Sequence, residues 1–219
     1  MKENVFLPAV IVLAVASALL ADEPPMTKIV VRASGPEIPP ESHGAKPRTL
    51  YLAGPKYGRV EEELDREHGL HVRFITNQPD NWIVNLVNKT AQHIVDRGPT
   101  FIFRAPVFWV PKPEGQPDPD KEFKDLEFGN EFQFFHDQGS QDLGPRQFEG
   151  KNCSVLSLKK GSTEVTLFVD LATRLPYQIN VNKEGKPQIS YRYLEYKTNL
   201  PFQKSLFEPP KGVKITEAK

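Results

Sequence analysis

Four short segments between residues 70 and 105 leave this chain little choice of fold. "LHVRFIT" (70–76), "WIVNLVN" (82–88), "AQHIVD" (91–96) and "TFIFRA" (100–105) carry apolar side chains at or near a period of two. That is the period of a β-strand. Between them stand "NQPDN" (77–81), "NK" (88–89) and "RGP" (97–99), rich in residues that turn the backbone. Parallel neighbours need a crossover of about a dozen residues or more, whereas loops this short join antiparallel ones. The expected unit is an antiparallel meander.

The same pattern resumes further on. "TLFVDLATRLPYQINV" (166–181) reads as strand, loop, strand. "QFEGKNCSVLSLKK" (147–160), "EVTLFVD" (164–170), "YQINVNK" (177–183) and "QISYRYLEYKT" (188–198) extend it, with "EGK" (184–186) as a tight turn. Upstream, "KIVVRA" (28–33), "TLYLAG" (49–54) and the alternation from Tyr57 to Leu64 fit further strands. "SGPEIPPESHGAKP" (34–47) and "GSQDLGP" (139–145) read as loops. "EEELDRE" (61–67) could form a helical turn by propensity, although its alternation favours a strand; "DKEFKDLEFGNEFQFFHDQ" (120–138) suggests a helix, with Phe123, Leu126, Phe132 and Phe135 on one stripe and Gly129 weakening it. The insertion 105–121 is too rich in proline for regular structure, yet holds Phe108 and Trp109. These two aromatics either pin the loop to the core or make it a lid or partner contact.

The N-terminus reads as an export signal. Lys2 precedes an apolar run from Val5 to Leu20, which ends in small residues that allow cleavage after Ala18 or Ala21. The expected organisation is a signal peptide over 1–21, a Pro-rich arm over 22–48, and one domain over 49–219. The mature protein is expected to be periplasmic or otherwise exported, with no transmembrane span. Its single cysteine, Cys153, excludes an internal disulfide. Charge is balanced, with 28 basic and 28 acidic residues, so no global field favours nucleic acid.

Chemistry finds little support. Of the five histidines, His68 and His71 sit three apart, but Gly69 separates them and a zinc site needs further ligands. His136-Asp137 is too common a pairing to define a base, and His43 and His93 stand alone. There is no nucleophile elbow, phosphate-binding glycine loop, HExxH or CxxC. No cofactor or metal is expected, and the chain reads as a non-enzyme.

Apolar surface is more informative. Ile83 and Val87 oppose Trp82, Val84 and Leu86; Phe168 opposes Leu167 and Val169; Leu194 and Tyr196 oppose Tyr191 and Tyr193. A half-solvated antiparallel sheet alternates more cleanly. Either the sheet has an ordinary two-sided core, or it curves around a hydrophobic cavity as ligand-holding barrels do. The candidate cavity residues are Trp82, Val84, Leu86, Phe101, Phe103, Leu167, Val169, Tyr177, Ile179, Tyr191 and Tyr193.

A resemblance adds to this. Asp170, Thr173, Leu175 and Pro176 resemble the strand–turn–strand of the LolA-type family of periplasmic lipoprotein carriers. "YRYLEYKTNLPF" (191–202) followed by "SLFEPPKGVKI" (205–215) is similar to that family's Tyr-rich strand and tail, and 77–96 resembles its Trp-bearing hairpin. The resemblance implies an α+β fold, mainly antiparallel: an unclosed, curved half-barrel with one or a few helices packed on its concave side. It also implies an apolar interior for a lipid or a lipoprotein acyl chain, as in outer-membrane lipoprotein sorting. An envelope interaction or sensor module, with a protein partner and no lipid cargo, is the alternative. The family's long N-terminal helix has no counterpart in residues 22–48.

Overall fold

The computed structural model describes residues 23–98, 103–107 and 123–218. Twelve strands form one sheet: β1 (Met26–Ser34), β2 (Arg48–Ala53), β3 (Tyr57–Glu62), β4 (Val72–Asn77), β5 (Asp80–Asn85), β6 (Thr90–Val95), β7 (Gln141–Phe148), β8 (Lys151–Lys160), β9 (Thr163–Asp170), β10 (Pro176–Lys183), β11 (Lys186–Leu200) and β12 (Lys214–Glu217). Their spatial order is β12-β6-β5-β4-β3-β2-β1-β11-β10-β9-β8-β7. Every pairing is antiparallel except that of β12 with β6. The two end strands do not meet, so the sheet is an unclosed half-barrel. One α-helix, α1 (Glu131–Asp137), is present among the described residues, and no helix there is long and apolar enough to cross a membrane.

The turns follow from their residues. Glu184 and Gly185 both take positive φ, 52° and 76°, which matches the twist a two-residue hairpin needs between β10 and β11. The β9–β10 loop is organised by Asp170. Its carboxylate accepts the N–H of Ala172 at 2.9 Å and of Thr173 at 3.4 Å. The Lys151 ammonium beside it, with those amides, holds the Asp170 carboxyl below the usual range.

Several elements depart from the sequence expectation. The stretch 22–48, expected to be an arm, contains β1, a central strand paired to β2 on one side and β11 on the other. Ile29 and Val31 are buried there, so this short β-branched run joins the two halves of the sheet. Most of the expected loop 139–145, from Gln141 on, and the first part of 147–160 form β7, and Glu149 and Gly150 turn the chain into β8. The helix is shorter than the stripe over 120–138. Gly129 takes φ +92°, outside helical space, so α1 begins at Glu131. Phe134 and Phe135 are its buried aromatics and Phe132 is exposed, while Phe123 and Leu126 are buried ahead of it, outside the α-helix. Residues 103–105 are not strand; the rest of the expected strand 100–105 lies outside the described residues.

The core lies mainly on the face that carries α1, here the inner face. Leu158, Val165, Leu167, Val169, Ile179 and Val181 pack there with Phe123, Phe134 and Phe135. The outer face is strapped by the C-terminal segment. Phe207 packs with Met26 and Ala53, and Val213 packs against Ile75, Val84 and Ala91.

Candidate functional site: an apolar cavity on the inner face

The inner face is not packed evenly. Past the α1 core, a row of side chains runs straight across the sheet: Leu50 pairs with Val60, Val60 with Phe74, and Phe74 with Ile83. Leu50, Val60 and Phe74, with Val31 and Ala33 of β1 and Tyr191 of β11, floor a cavity of about 290 Å³. Its roof is two strips of chain. The Val107 amide donates to the Leu126 carbonyl and the Phe128 amide to the Ala105 carbonyl, each at 2.9 Å. This pairing lays Phe103, Ala105, Val107 and Phe128 over the sheet. Phe128 meets Tyr191 edge-on, with ring centroids 5.6 Å apart. The Phe103 amide donates to the Pro55 carbonyl at 2.9 Å, which tethers the roof to the β2–β3 turn.

Among the described residues, the charged side chains lining the cavity are Lys46, Arg48 and Arg104. Carboxylates stand behind both guanidiniums. Arg48 Nε is 3.3 Å from Glu62, and Arg104 pairs with Asp125 and Glu127. Lys46 differs, since its ammonium donates to the Leu64 carbonyl at 2.8 Å.

Of the residues expected to line a cavity, Phe103 and Tyr191 do so. Phe101, and the lid residues Phe108 and Trp109, lie outside the described residues. Leu167, Val169, Ile179 and Tyr193 are on the inner face but within the packed core. Trp82, Val84 and Leu86 belong to the outer face, where Trp82 stacks on His93 at 5.2 Å. Tyr177 is set apart from Ile179 by a register shift between Pro176 and Gln178. Its ring lies under the Arg192 guanidinium at 4.0 Å and beside Phe148. Sequence reasoning missed Val31, Ala33, Leu50 and Val60, although the alternation of "KIVVRA", of "TLYLAG" and of Tyr57 to Leu64 placed them on strands.

A second polar feature lies beneath α1. The fully buried Glu131 accepts hydrogen bonds from the Tyr193 hydroxyl at 2.6 Å, the Gly129 amide at 3.0 Å and the Tyr196 hydroxyl at 3.3 Å. Burial pushes its carboxyl upward, against these donors. The histidines are dispersed. His68 pairs with Asp65, His93 with Asp80 and Glu217, and His136 with Asp137. No three His, Cys, Asp or Glu side chains among the described residues converge to hold a metal. Cys153 is buried, and burial raises its thiol, which leaves it a poor nucleophile.

The fold and the cavity define a class: an α+β, mainly antiparallel, unclosed half-barrel with a short helix on its inner face and an apolar space under two strips of chain. No protein-family model and no curated protein matches the sequence. Among solved structures the chain is similar to a LolA superfamily protein from Nitrosomonas europaea, at 12% identity over 85% of this chain and 90% of that one, with a TM-score of 0.34. It is similar also to an uncharacterized conserved protein from Thermus thermophilus, at 12% identity over 88% of this chain and 90% of that one, with a TM-score of 0.48. A third is the Pseudomonas aeruginosa MucA/MucB complex, at 14% identity and a TM-score of 0.41, over 85% of this chain but 56% of that one. The family on which the sequence resemblance fell is thus represented among these structures.

Proposed function

We propose that this protein is an exported, non-enzymatic binder that shelters an apolar ligand, a lipid or the acyl chain of a lipoprotein, in the inner-face cavity. One observation carries the reading. A space of about 290 Å³, walled by Val31, Leu50, Val60, Phe74, Phe103 and Tyr191, lies where a side-chain core would otherwise be. Apolar-walled and open at its mouth, a concave space of this kind is where an apolar ligand can leave water. It is at the small end for ligand pockets. Taking ~30 Å³ for a methylene, as for a water, it holds on the order of ten such groups, one chain rather than two. The apolar run at the N-terminus supports export.

The test is native mass spectrometry of the mature protein from its own host's envelope, with solvent extraction of anything bound. An apolar molecule should co-purify, and should be lost from Ala33→Leu, which fills the cavity without removing a buried group. A clean unliganded mass, together with failure to take up a fluorescent fatty-acid probe, would overturn the reading. A second reading, an envelope interaction module, is favoured by Ile83 and Ile94, which continue the inner face beyond Phe74 and are each 39% exposed. Under that reading the protein stays unliganded while Ile83→Asp abolishes capture of an envelope protein.

A further inference from the structure

The cavity is asymmetric in charge, and its mouth has a composition of its own. Walls of Leu50, Val60, Phe74 and Phe128 offer nothing to a polar group. Towards the start of β2 they give way to Arg48 and then Lys46. Arg48 is already matched by Glu62, whose other oxygen is 3.6 Å from His43 Nε2. Arg104, on the roof, is matched by Asp125 and Glu127. Lys46 is half-buried and, among the described residues, has no carboxylate within 4.0 Å; its one hydrogen bond is to the neutral Leu64 carbonyl. Among the described residues, Lys46 is thus the cation of the cavity lining that no carboxylate pairs.

Resting on the apolar-ligand reading above, we infer that the cavity takes a single-chain carboxylate amphiphile, with its tail on Leu50, Val60 and Phe74 and its carboxylate on Lys46. The charge count selects the head group. A carboxylate brings one negative charge to one free ammonium and accepts its remaining protons. A phosphate monoester brings close to two, the second of which would face the already paired Glu62 beside Arg48. A neutral head would leave the ammonium as it is. The mouth is half open to solvent, so the gain is that of a surface ion pair, about fivefold in affinity.

The experiment compares dodecanoate, dodecanol and dodecyl phosphate by displacement of a fluorescent fatty-acid probe, below their aggregation concentrations, on the wild type and on Lys46→Gln. Dodecanoate should bind about fivefold tighter than dodecanol. K46Q should erase that difference, with a cooperative urea-unfolding transition like that of the wild type showing that the variant is folded. Equal affinity for dodecanoate and dodecanol would overturn the head-group assignment and leave the apolar cavity standing. Tighter binding of dodecyl phosphate than of dodecanoate would overturn the carboxylate. Binding of none of the three would overturn this inference and the apolar-ligand reading together.

Discussion

A Cβ on Gly58 would stand 2.2 Å from the Phe103 ring. Gly58 lies in β3, opposite Leu52 on one side and Thr76 on the other. The missing side chain is what lets the roof come down onto the sheet there. Gly58→Ala should push Phe103 out of its seat. Overpacking of this kind costs about 1–3 kcal/mol, partly offset by the lower entropy of an alanine strand residue. Chemical denaturation should read a net loss of about 1–2 kcal/mol. The same change in a Phe103→Ala background should cost almost nothing, because the clash is gone. Equal costs in both backgrounds would show that Phe103 does not depend on this glycine. At this scale the sequence was legible only up to the first irregularity. Alternation assigns Tyr177 to the face of Ile179, and Tyr196 to the face opposite Tyr193. Register shifts beside Gln178, and between Val30 and Val31 opposite β11, undo both assignments. Tyr196 thereby joins Tyr193 at Glu131, and Leu194 is left 47% exposed. An extra residue in a ladder leaves no mark on local periodicity.

The hold of α1 on the sheet is chemical as well as apolar. Glu131 reaches back to the Gly129 amide and receives the hydroxyls of Tyr193 and Tyr196 from β11. Because burial raises its carboxyl above the ordinary value of 4.5, the folded protein keeps a proton that the unfolded chain has already released. Its stabilising contribution is complete below that ordinary value and is lost as pH rises through the folded one. Glu131→Gln is neutral throughout. The wild type's advantage over E131Q in urea unfolding should therefore shrink as pH rises from about 4 towards neutrality. A difference independent of pH would mean that Glu131 does not change protonation on unfolding. Glu131→Ala strands the Tyr193 hydroxyl and the Gly129 amide, at a cost of about 2–4 kcal/mol. The existence of a helix after the insertion was legible from its aromatic residues; its start was not. Phe123 and Leu126 are buried like helix residues but serve the strip that roofs the cavity. The cavity itself could not be located from sequence. Its floor is assembled from β1, β2, β3, β4 and β11, and the β1–β11 pairing joins residues on the order of 160 apart, beyond what period or loop length encodes.

On the scale of the whole molecule, the chain's last residues tie the sheet's outer face together and cover one of its edges. The segment after β11 seats Phe207 against Met26 and Ala53, and the Arg59 guanidinium donates to the Leu206 carbonyl at 2.9 Å. It then crosses to β6, where β12 pairs in parallel and covers an edge that would otherwise be free to recruit another strand. The far end of this strap is held by His93. Nδ1 lies 2.9 Å from Glu217 of β12, Nε2 lies 2.8 Å from Asp80 of β5, and the ring stacks on Trp82. Glu217 first, then Asp80, raises the imidazole above its ordinary 6.5. What this grip contributes is fully present below that value and is lost as pH rises through the raised one. Amide hydrogen exchange reads the loss directly, since the Lys214 and Ala218 amides donate to the Lys89 and His93 carbonyls at 2.8 Å. After correction for intrinsic rates, their protection should fall as pH rises above about 6.5, while amides of β9 hold theirs. His93→Gln cannot take up the charge, so its profile over the same range should be flat and low. Parallel profiles for wild type and H93Q would place the strap's stability in the packing of Phe207 and Val213 alone. A fall confined to the wild type would make the covered edge of β6 a feature that alkaline conditions expose.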